Sequence, residues 1–466
     1  MQKLCIFWAC VLSGFHAVAQ GFQIKAEIKG LGSNVAYLGF YEGGKAYSLD
    51  TLLAGGGSDQ FSASYVSLSP GIYFLTTNKG KMFDFVVSKP TDTIIIGLDL
   101  ARPDSAWSIN SPENEAFFRF ETYRKKLESA IDQHKNMRNM MAKATEGDTS
   151  VVNPVDRKIS ALYIQTDSLA LDFVKRRPND LFSAMLRSVR PPEPPASIKP
   201  LNKNGQPNPA YQVWQKKHFW DNTDFSNETL LKNVFWQVFF DNYFARYVKP
   251  LPDSIINSVD EILRETPKNG AFYRFIVLRI TQYYEMNEFA GADRIFVHMV
   301  DRFLKKDETP WLDQATLERL DYKASVHRPN LTGSLATNFT MKDETGKQIE
   351  LYEIDAPVTV LIFYSPLCQH CMEVMPKIYQ TWLDYAAKSV AALAINTDKQ
   401  EAYWKKFVAQ QHWNWHDLSD ENQIEQLDKQ FGIYSLPVIY VLDRQKRILY
   451  KRVKPNELGN LLSKVL

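Results

Sequence analysis

An apolar run followed at once by two cysteines constrains the fold of this chain more than any other feature. Val358–Tyr364 is apolar apart from one threonine, as expected of a strand buried on both faces of a sheet. Cys368-Gln369-His370-Cys371 begins four residues after Tyr364. Two thiols separated by two residues and placed directly after a strand are typical of a pair that forms and breaks a disulfide reversibly.

The first residues predict export. Residues 1–19 combine a positive start, a short apolar stretch and the small residues Ala17 and Ala19, the pattern of a removable signal peptide. The stretch is much shorter than the roughly 20 residues that span a bilayer, so an N-terminal anchor is the weaker alternative. Cleavage would remove Cys5 and Cys10, although lipid attachment at Cys10 stays open. We expect an exported protein in the periplasm or cell envelope, with no transmembrane segment in the mature chain.

Length and charge limit the remaining possibilities. A chain of 466 residues exceeds what one hydrophobic core normally serves, so two or three domains are expected. The 55 basic and 53 acidic residues nearly balance, which argues against a nucleic-acid partner. We expect no metal and no cofactor: zinc would need further ligands beside His412 and His416, and a c-type haem would need histidine where Met372 stands.

Hydrophobic periodicity divides the chain into three predicted domains after the signal peptide. Residues 20–108 alternate between apolar and polar side chains and contain frequent turn signals, which favours an N-terminal antiparallel β-sandwich. Residues 109–329 change to helical spacing and predict a middle all-α domain. Residues 330–466 alternate strands and helices, which predicts an α/β domain with helices on both faces of a sheet.

Several elements can be placed individually. In the helical domain we predict a heavily aromatic helix over 231–240 and further helices over 254–265 and 272–284. In the α/β domain the predicted strands are Val390–Asn396, 438–442 and 448–450. Its predicted helices cover 368–387, broken or kinked at Pro376, 401–410 and Ile424–Phe431, with a last helix after Glu457.

Three separated motifs of the α/β domain resemble one known family. Residues 363–371, Pro376 and Ser435-Leu436-Pro437 look like the active site of thioredoxin-fold proteins of the TlpA/ResA type, and residues 336–346 resemble their extra N-terminal hairpin. More loosely, the layout resembles exported Gram-negative proteins in which uncharacterised β and helical domains precede such a module. The resemblance implies a thioredoxin fold and a thiol-disulfide oxidoreductase that exchanges disulfides with protein partners and with an upstream redox partner.

The candidate catalytic residues are Cys368, Cys371, His370 and Pro437. Cys368 at a helix N-terminus would have its thiolate stabilised by the helix dipole, which makes it the nucleophile. Cys371, one turn further on, would attack the mixed disulfide and complete the redox disulfide. His370 could stabilise the thiolate and make the pair more oxidising; the alternative is an exposed residue without a redox role.

The second half of the site is implied by the resemblance. In the family the proline that matches Pro437 is cis and faces the two thiols. The backbone of Leu436 would then pair with an extended substrate, and Ser435 and Pro366 would complete the substrate-binding surface. The alternative for Pro437 is an ordinary proline at the start of an edge strand.

Two positions depart from the family pattern. Val374 stands where the reducing members have a glutamate, and Glu373 should point elsewhere on the helix. Ile362 replaces the buried aspartate of thioredoxins. Without either acid, proton transfer at Cys371 lacks its usual helper, so water, His370 or an unidentified carboxylate would have to serve.

Two further functions remain in competition. One is an envelope protein that binds a peptide or protein and uses the cysteines as a regulatory redox pair. The other, ranked last, is a thiol peroxidase: Ser365, three residues before Cys368, resembles the hydroxyl residue of the peroxidatic motif. However, the proline expected seven residues before Cys368 is Leu361.

Overall fold

The protein is represented by a computed structural model that describes residues 21–55, 59–77, 80–90, 92–144, 149–202, 206, 208–287 and 289–466. The predicted signal peptide, residues 1–19 with Cys5 and Cys10, lies outside the described residues. The chain divides into two compact units, the first ending at Tyr247 and the second covering Val248–Leu466.

The first unit begins with two four-stranded sheets, ordered β4-β1-β7-β8 and β3-β2-β5-β6. Burial alternates along β1, as the sequence predicts for a half-buried strand. One pair differs from the antiparallel expectation: β1 and β7 run parallel, with Ile24 beside Ile94. Alternation cannot reveal this, because it is the same in either strand direction. The strands are β1 Phe22–Lys29, β2 Val35–Glu42, β3 Lys45–Leu53, β4 Gln60–Tyr65, β5 Gly71–Thr77, β6 Gly80–Val87, β7 Thr93–Asp99 and β8 Arg102–Ser108.

Helices complete the first unit. They are α1 Pro112–Ala144, α2 Thr149–Arg176, α3 Leu181–Ser188, α4 Pro209–Lys217 and α5 Trp236–Tyr247. The prediction of one aromatic helix from residue 231 was wrong, because the Asn233 carboxamide accepts from the backbone N–H groups of Phe235 and Trp236, at 2.7 and 3.0 Å. This side chain caps the chain before α5 and delays the helix. The aromatic side chains Trp236, Phe239 and Phe240 are buried core residues, as the sequence favours.

The second unit starts with four helices and continues into the α/β fold. The four are α6 Pro252–Glu265, α7 Ala271–Met286, α8 Ala292–Phe303 and α9 Gln314–His327. Their amphipathic pattern buries one side of each helix, as in Ile255, Val259 and Ile262 of α6. Among the residues that the structure describes, no helix is long and apolar enough to cross a membrane.

A seven-stranded sheet ordered β10-β9-β13-β12-β11-β14-β15 organises the rest of this unit. All of β11 is buried, as its apolar sequence predicts; β12 runs parallel to it and β14 antiparallel. The helix that carries the cysteines continues through Pro376, so the alternative of a break there was wrong. The elements are β9 Thr340–Asp343, β10 Gln348–Glu350, β11 Val358–Tyr364, α10 Gln369–Ala386, β12 Val390–Asn396, α11 Glu401–Gln411, β13 His416–Ser419, α12 Ile424–Phe431, β14 Val438–Asp443, β15 Ile448–Lys451 and α13 Leu458–Val465.

Candidate active site

The two cysteines lie where β11 passes into α10. Cys368 is the N-cap residue of α10 and is half-buried, whereas Cys371 in the first turn is fully buried. The backbone N–H of Cys371 donates to Cys368 Sγ at 3.3 Å, so an otherwise unpaired donor of the helix N-terminus points at the outer sulfur. An accessible sulfur therefore stands directly in front of a protected one.

The thiol of Cys371 is a weaker acid than an ordinary cysteine, because it is buried and because of the groups around it. Burial is the largest cause and raises the pKa of its thiol to about 12, with the Cys368 side chain and the charge of Asp398 adding to the effect. A hydrogen bond with the Ser365 backbone opposes the shift. Because thiolates rather than thiols react, Cys371 needs a group that takes up its proton when it attacks.

His370 faces outward from the first turn of α10. Its side chain is exposed and borders a groove of about 530 Å³ between α10 and α13, together with Val374 and Lys377. Val374 thus presents an apolar side chain at the position where the reducing members of the family have a glutamate. Glu373 points away and accepts from the Gln369 amide at 3.3 Å.

The turn before β14 meets the same end of the sheet. β14 runs antiparallel to β11 with Val438 beside Phe363, so residues 435–437 lie near the loop that leads to Cys368. The Leu436–Pro437 peptide is cis, in agreement with the resemblance. Leu436 and Cys368 pack against the same hydrophobic core.

The remaining predicted substrate-binding residues differ in exposure. Ser435 is exposed, Leu436 and Pro437 are half-buried, and Pro366 is buried. Leu367, which the sequence reasoning passed over, exposes 53% of its surface. Of the two residues that directly precede Cys368, Leu367 is therefore on the surface and Pro366 is not.

A serine and an aspartate form a contact beside the cysteines that sequence reasoning missed. Ser365 Oγ donates to Asp398 Oδ2 at 2.5 Å and accepts from the Leu367 backbone N–H at 3.0 Å. Asp398 follows β12 by two residues. Since β11 and β12 are parallel neighbours, the position of Asp398 at a strand's carboxyl end is the signal that could have identified it.

A second carboxylate, which is buried, lies in the sheet itself. Asp417 on β13 accepts from the Tyr364 hydroxyl at 2.9 Å and from Trp415 Nε1 at 2.8 Å. Burial raises the pKa of Asp417 to about 7. Ile362, at the position where thioredoxins have their aspartate, is fully buried in the core. Acidic side chains are therefore present in this domain, but at other positions than the family pattern gives.

In the described part of the chain, no three His, Cys, Asp or Glu side chains come together in a way that could hold a metal ion.

Two parts of this chain match known family models. Residues 332–451 match the family model described as AhpC/TSA family, and residues 204–330 match a domain of unknown function, DUF5106. The thiol-disulfide oxidoreductase ResA of Bacillus cereus is 30% identical over 122 residues, which are 26% of this chain and 68% of that protein. This chain belongs to the ResA family of thiol-disulfide oxidoreductases.

Other ResA proteins match the same region. That of Bacillus subtilis is 21% identical over 117 residues, 25% of this chain and 64% of the relative. The chain thus spans about two thirds of the length of these ResA relatives. Among solved structures, a thioredoxin-like protein from Bacteroides caccae has 17% identity and a TM-score of 0.41, covering 59% of this chain and 97% of its own. A domain of a possible thiol-disulfide isomerase from Cytophaga hutchinsonii has 34% identity and a TM-score of 0.27, covering 29% and 93%.

Proposed function

We propose that this ResA relative exchanges disulfides with protein partners through Cys368 and Cys371. One observation carries the proposal: a half-buried sulfur caps a helix and receives the backbone N–H of a fully buried second cysteine. This arrangement provides a nucleophile that a partner can reach and a resolving thiol that it cannot. Pro437, Leu436 and Ser435 would bind the partner chain, together with the exposed Leu367.

The exchange takes place in two displacement steps. The Cys368 thiolate attacks a partner disulfide, which breaks, releases one partner sulfur and leaves a mixed disulfide. Cys371 then attacks Cys368 Sγ, forms the intramolecular disulfide and releases the second partner sulfur. Two electrons pass to the partner, and an upstream dithiol partner would restore the reduced pair; the reverse sequence oxidises partner thiols.

Export belongs to the same proposal. Residues 1–19 have the signal-peptide pattern, and disulfide exchange with protein partners is favoured in the oxidising envelope. We propose the periplasm or cell envelope as the location.

Trapping tests these proposals together. A Cys371→Ser variant should accumulate mixed disulfides through Cys368, because no second thiol resolves them, and reducing agent should release the partners. The trapped species should be recovered from the periplasmic fraction without residues 1–19. Cys368→Ser is the matched control and should trap nothing.

Two outcomes would contradict the proposal. If Cys368→Ser retains the same partners with unchanged affinity, the protein acts by binding, and the cysteines are at most regulatory. If the purified protein consumes hydrogen peroxide with a thiol reductant as fast as it reduces a protein disulfide, it acts as a peroxidase. Against the second outcome stands the Ser365 hydroxyl, which donates to Asp398.

A further inference from the structure

One carboxylate in the structure is a candidate to accept the proton of the buried Cys371 thiol. Cys371 is fully buried, and its proton must leave when its sulfur attacks the mixed disulfide. The family's glutamate position holds Val374, and the thioredoxin aspartate position holds Ile362. Asp398 is the nearby acid whose charge acts on the Cys371 thiol.

Ser365 connects the two groups. Its carbonyl accepts from the Cys368 backbone N–H at 3.1 Å, and its hydroxyl donates to Asp398 at 2.5 Å. The Cys371 backbone N–H in turn donates to Cys368 Sγ at 3.3 Å, so this chain of hydrogen bonds connects both cysteines to the carboxylate. A shift in its position would move all of them relative to one another.

The turn that carries Asp398 is itself fixed. The buried Asn396 carboxamide donates to the Asp398 carbonyl at 2.9 Å and accepts from its backbone N–H at 3.1 Å. Asn396 also donates to Ser419 Oγ at 3.0 Å. Two hydrogen bonds from one buried amide hold the aspartate at the carboxyl end of β12, so its carboxylate stays at Ser365.

The surroundings leave Asp398 available for proton transfer. Lys399, the next residue, pairs with Glu425 of α12 rather than with Asp398. Tyr364 of β11 donates its hydroxyl to Asp417. The Asp398 carboxylate is half-buried, so a proton that it accepts can pass on to solvent.

We propose that Asp398, positioned by Ser365, receives the proton that Cys371 loses when it attacks the mixed disulfide. The Cys371–Cys368 sulfur bond forms, the bond to the partner sulfur breaks, and the partner leaves as a thiolate that takes up a proton from Asp398 or from water. No additional oxidant or reductant is needed. The inference rests on the proposed disulfide exchange and supplies its missing acid–base group.

The resolving step can be measured alone with a chromogenic probe. In the full chain with Cys5 and Cys10 replaced by serine, 5,5′-dithiobis(2-nitrobenzoate) loads 2-nitro-5-thiobenzoate onto Cys368. Stopped-flow absorbance then follows the release of the second 2-nitro-5-thiobenzoate as Cys371 attacks. This leaving group needs no proton, so the rate reports on Cys371.

Asp398→Asn should slow this release at pH 7 by about tenfold or more, within the range of a lost acid–base group. The deficit should shrink as the pH rises from 6 to 10, because hydroxide replaces the missing acceptor. Ser365→Ala should show the same pH dependence with a smaller deficit. Asp417→Asn, which removes a buried carboxylate on a nearby strand, is the matched control and should stay within about twofold of the parent at every pH.

Four results would overturn the assignment. Faster or unchanged release in Asp398→Asn means that its charge merely opposes the Cys371 thiolate. An equal loss at every pH means a structural role, and a pH-dependent loss in Asp417→Asn means that the effect is not specific. If the parent protein itself releases no second thiobenzoate, the disulfide exchange fails and the role of Asp398 falls with it; normal release in parent and Asp398→Asn alike overturns the role of Asp398 alone.

Discussion

Single residues decide how this pair differs from that of its relatives. Ile362 and Val374 remove the acids of the family pattern, and the buried thiol of Cys371 has a pKa raised to about 12, first by burial. A polar residue, His370, stands exposed between the cysteines instead. We propose that His370 influences the direction of electron flow by favouring the reduced pair.

We expect His370→Ala to make the pair more reducing. In the proposed role the His370 side chain stabilises the Cys368 thiolate and therefore the reduced state; its loss should lower the reduction potential by about 30 mV, a tenfold change in the equilibrium constant. Equilibration with glutathione buffers, followed by thiol alkylation, measures the potential. Gln369→Ala, also exposed in the same turn, is the control and should leave the potential unchanged. A parent value near that of thioredoxin, about −270 mV, would contradict a redox role for His370.

Secondary structure elements were predictable where burial follows from apolar side chains alone. The runs that form β11 and β12 were predicted with their observed bounds, because both faces of these strands are covered and every position must be apolar. The short strand β13 was missed. Its sequence is His416-Asp417-Leu418-Ser419, and the buried Asp417 accepts hydrogen bonds from the nearby Trp415 and from Tyr364, 53 residues earlier. The hydrophobicity of the segment itself does not predict such hydrogen-bond partners.

The burial of Asp417 should make the stability of this sheet depend on pH. Its pKa is raised to about 7 when folded, against about 3.9 for a free aspartate. Between these two pH values the folded state therefore binds one proton more than the unfolded state. This proton stabilises the folded state at low pH, and the stabilisation is lost as the pH rises through 7. From pH 5 to 8 the loss should be about 3 kcal/mol.

Urea unfolding of the second unit at a series of pH values checks this expectation. Asp417→Asn should flatten the pH dependence, because the amide does not ionise and its carbonyl oxygen can still accept a hydrogen bond as the Asp417 carboxylate does. Asp420→Asn, whose change falls outside this buried network, should keep the parent's slope. A parent stability that rises from pH 5 to 8 by the same amount would contradict the raised pKa of Asp417.

At the scale of the whole molecule, the helices of the second unit and its sheet are joined by a buried ion pair. Lys451 on β15 lies 2.6 Å from Asp293 on α8, and their side chains expose 9% and 7% of their surface. Lys451 also donates to the Asn330 side chain at 2.9 Å. Burial alone would raise the pKa of Asp293, but Lys451 and the Thr332 backbone lower it, so the carboxylate stays charged. His327, close to Lys451, has its pKa lowered to about 4, mainly by burial, and remains neutral.

The sequence predicts a domain boundary at residue 330. It does not predict the ion pair across this boundary, because Asp293 and Lys451 are 158 residues apart (451 − 293). Charged residues such as Lys451 in an edge strand ordinarily indicate solvent exposure. Whether residues 330–466 fold independently therefore depends on how much the contact with α8 contributes.

Removing one charge should destabilise the second unit strongly. Asp293→Asn leaves Lys451 buried without its counter-ion, which typically costs about 3–5 kcal/mol. Replacing both, as Asp293→Asn with Lys451→Met, should recover most of this loss, because a well-packed apolar side chain needs no partner. Urea unfolding of the full chain, followed by fluorescence of the tryptophans and by alkylation of Cys371, measures whether the sheet unfolds together with the helices.

Asp301→Asn is a suitable control, since Asp301 also pairs across helices of this unit, with Arg328, but on an exposed surface; it should cost no more than about 1 kcal/mol. If Asp293→Asn and Asp301→Asn lower the free energy of unfolding by the same amount, the buried ion pair contributes no more to stability than the exposed one. If Asp293→Asn leaves the protection of Cys371 unchanged while the helices unfold, the helices and the sheet are separate folding units, and the boundary at residue 330 stands. Loss of Cys371 protection at the same urea concentration as the helices places that boundary inside a single cooperative unit instead.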